Sequence, residues 1–202
     1  MAQPKEISVT INGQQVRGKE GNTVLDMCRA NNIYVPTLCF LEGLPNVGAC
    51  RLCVVDIEGE RRINPACTYP ARDGLVIKTH TPKLEQYRRQ TLELIFTERN
   101  HFCFFCTASG ECELQALAYR YQMDHARYPY TFPNLPADTL NDFIVIDHNR
   151  CILCGRCVRV CGEVVGNHTL DFGRRGWRTV VTADLSQSLG ESSCISCGAC
   201  VQ

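Results

Sequence analysis

Fifteen of the 202 residues are cysteine, an odd number that does not suit a fully paired disulfide framework. Their spacing suits metal instead. Cys39, Cys50, Cys53 and Cys67 follow the pattern C-x10-C-x2-C-x13-C, with Gly43, Gly48 and Ala49 between the first two. Four thiolates from a small-residue loop and a flanking strand suit a [2Fe-2S] cluster, whose sulfides accept backbone N–H bonds. The first loop is longer than in the plant-type spacing. A four-cysteine zinc site and unligated buried thiols are the alternatives, but structural zinc usually joins two close cysteine pairs, and here only Cys50 and Cys53 are close.

A second group is His101, Cys103, Cys106 and Cys112. Three cysteines spaced C-x2-C-x5-C do not complete a four-iron cube, so a fourth ligand is required. His101 is the nearest candidate, and imidazole is a competent iron ligand. Cys112 falls where a helix is expected to begin, and exposed N–H groups there favour a negatively charged cluster.

The third group is the most specific. Cys151, Cys154, Cys157 and Cys161 form the C-x2-C-x2-C-x3-C run in which the fourth cysteine serves the other of two [4Fe-4S] clusters. Cys161 is therefore expected to join Cys194, Cys197 and Cys200. By the same logic Cys151, Cys154 and Cys157 call for a cysteine near position 204, beyond Gln202, so the chain reads as truncated and that site as one ligand short. Fourteen cysteines are then assigned. Cys28 is left as a small core residue on a helix face.

The elements that must position these groups follow from local signals. Ile7 to Ile11 alternates with period two, Asn12-Gly13 is a two-residue hairpin turn, and Val16 belongs to the return strand. Thr23 and Asp26 have capping-box spacing ahead of Val24, Leu25 and Cys28. A Gly/Pro-marked loop from Pro36 to Ala49 precedes a strand over 52–57, and Leu75 to Ile77 is a further short strand. Thr81-Pro82 caps a helix with Leu84, Tyr87, Thr91, Leu94 and Ile95 at helical spacing. Leu114, Leu117, Ala118 and Tyr121 form a second stripe, and the proline-rich stretch 128–136 reads as an extended linker. The segment 151–157 resembles 194–200, an internal repeat. No module has enough residues for a comfortable core, so each needs a metal staple.

Composition agrees. Charge is balanced at 21 Lys+Arg against 21 Asp+Glu, which excludes a whole-chain basic footprint for nucleic acid or a polybasic membrane anchor. At 45% hydrophobic residues the chain is neither disordered nor membrane-like, and no apolar run approaches a transmembrane span or a signal region. The expectation is a cytoplasmic protein with reduced thiols. There is no G-x-G-x-x-G after a strand, no P-loop, no G-x-S-x-G and no H-E-x-x-H, so no nucleotide or catalytic site of its own is expected. His80, His125, His148 and His168 lack ligand spacing and read as structural. Arg61-Arg62, Arg88-Arg89 and Arg174-Arg175 read as solvated pairs.

The order of these motifs resembles a family. The phrases are Pro36-Thr37-Leu38-Cys39, Gly48-Ala49-Cys50-Arg51-Leu52-Cys53, Asp147 through Cys154 and Gly190-Glu191-Ser192. Together with N-H-x-C-x2-C-x5-C-E-L-Q they resemble the small iron–sulfur diaphorase subunit of bidirectional NAD-reducing [NiFe]-hydrogenases. They are also similar to the N-terminal part of the complex I large iron–sulfur subunit and to [FeFe]-hydrogenase accessory domains. Complex I subunits usually place three residues between the histidine and the first cysteine; here only Phe102 intervenes. The resemblance implies an α+β chain of three modules. These are a β-grasp [2Fe-2S] ferredoxin-like domain over 1–80, a small helical one-His/three-Cys [4Fe-4S] domain over 81–140, and a two-[4Fe-4S] bacterial ferredoxin-like domain over 141–202. It implies one [2Fe-2S] and two to three [4Fe-4S] clusters relaying electrons between an NADH-oxidising FMN flavoprotein and the hydrogenase small and large subunits, a role compatible with peripheral membrane association. The alternatives are a complex I-type subunit part delivering to quinone, a zinc-stabilised interaction module, and a thiol redox protein, which lacks its expected βαβ context.

Overall fold

The structure, a computed structural model, describes residues 5–202. The chain is α+β and divides into two compact units. One takes in residues up to Phe40 together with Asn46–Leu92 and Ala116–Met123. The other takes in Leu41–Pro45, Glu93–Gln115 and Asp124–Gln202.

The first unit is built on a five-stranded sheet in the order β2-β1-β5-β3-β4. Strand β1 (Glu6–Ile11) alternates exposed and buried residues as its period-two pattern predicts. It turns through Asn12-Gly13, both at positive φ, into the antiparallel β2 (Gln14–Lys19). Thr23 then starts α1 (Val24–Ala30) with a complete capping box: Thr23 Oγ1 accepts from Asp26 N, and Asp26 accepts from Thr23 N. Such a cap contributes about 1 kcal/mol. It also fixes the entry angle, so that Val24, Leu25, Met27 and Cys28 pack onto Ile7, Val9, Ile11, Val55, Ile57 and Ile77.

Strand β3 (Val54–Ile57) pairs antiparallel with both β4 (Asn64–Pro65) and β5 (Val76–Lys78), and β5 runs parallel to β1. β3 starts two residues later than its apolar run predicts, because Leu52 and Cys53 belong to the turn that delivers the thiol. β4 gives no sequence signal, being two residues long and ending on a proline.

Thr81 caps the long helix α2 (Pro82–Glu98), its Oγ1 accepting from Leu84 N at 3.2 Å. The buried face is not the stripe expected from apolar spacing. Leu84, Arg88 and Leu92 are fully buried, whereas Tyr87 and Leu94 are exposed. Arg88 is thus a correction to the solvated-pair reading; Arg61-Arg62 and Arg174-Arg175 are exposed as expected. Helix α3 (Glu113–Arg120) buries Leu114, Leu117 and Ala118, with Tyr121 just beyond it also buried.

In the second unit, α4 (Arg156–Arg159) runs straight into a π-turn over Val160–Val164. A hairpin follows, with β6 (Leu170–Gly173) antiparallel to β7 (Val180–Ala183). Neither was legible beforehand, since the six-residue connection around Trp177 carries no tight-turn signal. Ile144, Leu170, Val181, Ala183 and Leu189 form this unit's small core. The stretch 128–136 holds no helix or strand, but it is not extended throughout, since Phe132 stands at φ 27°.

Candidate metal centres

Cys39 and Cys50 lie on the loop between α1 and β3, Cys53 immediately before β3, and Cys67 two residues after β4. The β3–β4 ladder sets the second pair. Val54 lies opposite Pro65, Ala66 N donates to Cys53 O at 2.9 Å, and the Cys53 and Cys67 sulfurs stand 3.4 Å apart. The first pair is set by the loop. Leu38 N donates to Cys50 Sγ at 3.4 Å, with Gly48 and Arg51 in left-handed conformations.

The four thiols feel one another. Cys39 is lowered to about 6, first by the hydrogen bond from the Cys50 thiol, with backbone N–H groups of Cys50 and Ala49 adding to it. Cys67 is lowered chiefly by the hydrogen bond from the Cys53 thiol. Cys50 and Cys53, as the donors, are pushed up. Cys28 stands apart, fully buried, its thiol pushed up to about 11 by desolvation, consistent with a core residue.

His101 sits in the loop between α2 and α3 that also carries Cys103, Cys106 and Cys112, the last directly before α3. Its Nε2 is buried and has no hydrogen-bond partner among the described residues, while the Ile95 carbonyl engages the ring. That arrangement leaves one nitrogen free to act as a Lewis base and holds the ring by the other, as in metal-ligating histidines. Burial first, then Arg150 and Arg99, lower His101 to about 4, so the imidazole is neutral at pH 7. The side chain of Phe96 meets it edge-on at 5.5 Å. Cys103 begins a 3-10 turn (Cys103–Phe105) whose closing bond runs from Cys106 N to Cys103 O.

The seven remaining cysteines fall into two neighbourhoods. Cys161, Cys194, Cys197 and Cys200 line one cavity with Ile144 and Leu189. The Cys200 thiol, pushed up first by burial, also feels Cys194, Cys197 and Cys161. Cys157 is pushed up to about 12 by burial and by the charges of Cys154 and Cys151, with a smaller contribution from Cys200. The two stretches repeat in backbone as well as in sequence. Leu153 and Ser196 are left-handed, as are Gly155 and Gly198. Asp147 fixes the approach to Cys151 by accepting from Asn149 N, and Asn149 in turn exchanges two bonds with the Leu135 backbone. Gly190 is required by space: a Cβ there would lie 2.1 Å from Leu140 O. His80, His125 and His168 are exposed, and His148 is half-buried.

Among the described residues no three His, Cys, Asp or Glu side chains gather around one ion-sized point. Thiolates on separate irons of a cluster stand farther apart than thiolates on a single ion. The donor chemistry fits clusters on two grounds: the unpartnered Nε2 of His101, and Arg99. Arg99 is almost fully buried; it donates to the Thr179 carbonyl, yet its Nε and Nη1 have no partner among the described residues. Its charge reaches both His101 and Cys151. A buried guanidinium with spare N–H groups beside thiolates calls for an anionic acceptor. Residue spacing gave no hint of Arg99.

Three stretches match known families. Residues 4–82 match a 2Fe-2S iron-sulfur cluster binding domain, 88–127 the NADH-ubiquinone oxidoreductase-G iron-sulfur binding region, and 141–193 the ferredoxin-like domain of NADH-quinone oxidoreductase subunit 3. The gamma chain of the NAD-reducing hydrogenase HoxS of Cupriavidus necator is 35% identical over 186 residues, covering 91% of this chain and 79% of that one. The chain belongs to its family of iron–sulfur electron-transfer subunits. A solved structure of NAD+-reducing [NiFe]-hydrogenase in the H2-reduced state agrees, with a TM-score of 0.87 and 37% identity over 92% of this chain and 79% of that one. The second G-type chain of NADH-quinone oxidoreductase from Rhizobium meliloti is 39% identical over 97% of this chain, which spans only 23% of that relative. The chain likewise spans 34% of HndD, part of the NADP-reducing hydrogenase of Solidesulfovibrio fructosivorans. Members of this family carry [2Fe-2S] and [4Fe-4S] clusters, and the matched regions assign both kinds to this chain. No helix among the described residues is long and apolar enough to cross a membrane.

Proposed function

We propose that the chain relays single electrons between an NADH-oxidising FMN flavoprotein and the small and large subunits of a [NiFe]-hydrogenase, in the cytoplasm. In this reading residues 1–80 form a β-grasp [2Fe-2S] module held by Cys39, Cys50, Cys53 and Cys67. Residues 81–140 hold a [4Fe-4S] cluster through His101, Cys103, Cys106 and Cys112. Residues 141–202 form the two-cluster module, with Cys161, Cys194, Cys197 and Cys200 on one cube and Cys151, Cys154 and Cys157 supplying three ligands to the other. The clusters supply reversible one-electron transfer. The chain's own residues hold thiolates in place, aim backbone N–H groups at sulfur and exclude water. No catalytic or nucleotide site of its own is part of the proposal.

The observation that carries it is the sorting of the C-terminal cysteines. Cys161 lines the cavity of Cys194, Cys197 and Cys200, although only three residues separate it from Cys157. That crossing-over is what a two-cluster ferredoxin run demands and what a single zinc ion does not. A second reading, part of a complex I-type chain delivering to quinone, is supported by the identity to the Rhizobium meliloti relative.

The test is iron, acid-labile sulfide and zinc on anaerobically purified protein, with co-purifying subunits identified. Full loading gives about 14 iron per chain, and about ten to thirteen when the Cys151 site lacks a ligand. Co-purifying hydrogenase subunits support the first destination, and a quinone-reducing partner supports the second. Stoichiometric zinc without sulfide would replace both with a structural metal module.

A further inference from the structure

Arg88 has no role in any ligand set, yet it is completely buried and every arm of its guanidinium is engaged. Nε donates to Leu52 O at 3.1 Å, and Nη2 to Val54 O at 2.8 Å and Thr79 O at 2.9 Å. Nη1 donates to Glu85 Oε1 at 3.1 Å. Leu52 and Val54 flank Cys53. The Leu52 carbonyl belongs to the same peptide group as the Cys53 N–H, so the bond from Nε polarises that N–H and makes it a stronger donor. Glu85 has a side chain 44% exposed, so water screens part of its compensation. The buried positive charge is met mainly by three carbonyl dipoles.

Burying such a charge costs several kcal/mol, and a well-packed apolar side chain would often serve stability as well or better. Leu84 and Leu92 show that the same helix face accepts leucine one turn to either side. A charge kept at this position therefore points to a use other than packing.

We propose that Arg88 is a positioning residue for the [2Fe-2S] site that fixes the Cys53 peptide and holds a positive charge behind it, raising the tendency of that cluster to accept an electron. The proposal rests on the [2Fe-2S] reading of Cys39, Cys50, Cys53 and Cys67. Four thiolates and the cluster carry a net negative charge that grows by one on reduction, so a fixed cation nearby stabilises the reduced form more than the oxidised form.

The experiment is a redox titration of the [2Fe-2S] EPR signal in the full chain, anaerobically purified, for wild type, Arg88→Met, Arg88→Lys and Glu85→Gln. Iron and sulfide are measured on each. Arg88→Met is expected to lower the reduced-to-oxidised ratio at a fixed potential about tenfold, equivalent to about 59 mV for one electron. Arg88→Lys is expected to fall between Arg88→Met and wild type. Glu85→Gln removes the screening partner from a partly exposed position and is expected to shift the ratio the opposite way. The signals of the four-iron clusters should not move. Unchanged ratios in cluster-bearing Arg88→Met, or a Glu85→Gln shift that is absent or in the Arg88→Met direction, would overturn the charge role. If Arg88→Met does not hold its cluster, Glu85→Gln decides alone. A wild type without iron, sulfide or the [2Fe-2S] signal would remove the underlying reading before any variant is compared.

Discussion

Leu153 and Ser196, 43 positions apart, stand in the same left-handed conformation, at φ 54° and 52°. Each aims its N–H at the sulfur two residues before it: Leu153 N to Cys151 Sγ at 3.3 Å and Ser196 N to Cys194 Sγ at 3.4 Å. A non-glycine residue there costs roughly 1–2 kcal/mol, and the thiolate bond obtained in return is charge-assisted. Proline can adopt neither the φ nor the donor role. Ser196→Pro is therefore expected to lose one four-iron cluster, about four iron per chain, while the [2Fe-2S] signal persists. Metal analysis with low-temperature EPR checks it.

At the N-terminal centre, Cys53→Ala removes the thiol that lies 3.4 Å from the Cys67 sulfur and is expected to abolish the [2Fe-2S] signal and leave the four-iron signals. Cys50→Ala should do the same. Retention of the two-iron signal in both variants would sink the assignment of this loop.

Cys28 provides the contrast. Its thiol is fully buried and pushed up to about 11 by desolvation. Cys28→Ala should leave iron and sulfide unchanged and cost about 1 kcal/mol of stability, from a small loss of packed volume. In the native protein a thiolate-directed alkylating reagent should spare it, which peptide mass mapping after brief labelling would show.

His101 gives a pH dependence. Its pKa falls from 6.5 to about 4 on folding, so between those values the unfolded chain binds more protons than the folded one. The His101 contribution to the stability of the cluster-free protein is expected to be constant above about pH 7. It should then fall as pH drops from 6.5 toward 4, by up to about 3 kcal/mol at the 1.4 kcal/mol per unit exchange rate. Urea unfolding at several pH values on wild type and His101→Gln measures it, and the slope in this window should flatten in the variant.

What could be read in advance was what is local. The Thr23–Asp26 cap, the Asn12-Gly13 turn and the Thr81-Pro82 helix start depend on residues within four positions of one another, and all three are present. The assignment of Cys161 to the set of Cys194, Cys197 and Cys200 rests on spacing, which cluster chemistry constrains tightly. Arg88 was not, because Arg88 and Arg89 are identical in composition and differ only in helix phase. The clue lay in the i, i+4, i+8 series Leu84, Arg88, Leu92, whose middle member is charged. The β6–β7 hairpin was missed because its connection through Arg174–Thr179 has none of the dipeptides that mark short turns, and Leu170–Gly173 has too few residues for a period to register.

The parallel pairing of β1 with β5 sets an order of events during synthesis. Thr10 lies beside Val76 and Ile11 beside Ile77, so the first strand made is completed by the last of its sheet. The β1–β2 hairpin and α1 can form from neighbours in the chain, but β5, the central strand, begins only at Val76, 65 positions after the end of β1 at Ile11. Cys39, Cys50, Cys53 and Cys67 all emerge inside that interval. The sheet therefore closes only after every thiol of the loop has been synthesised.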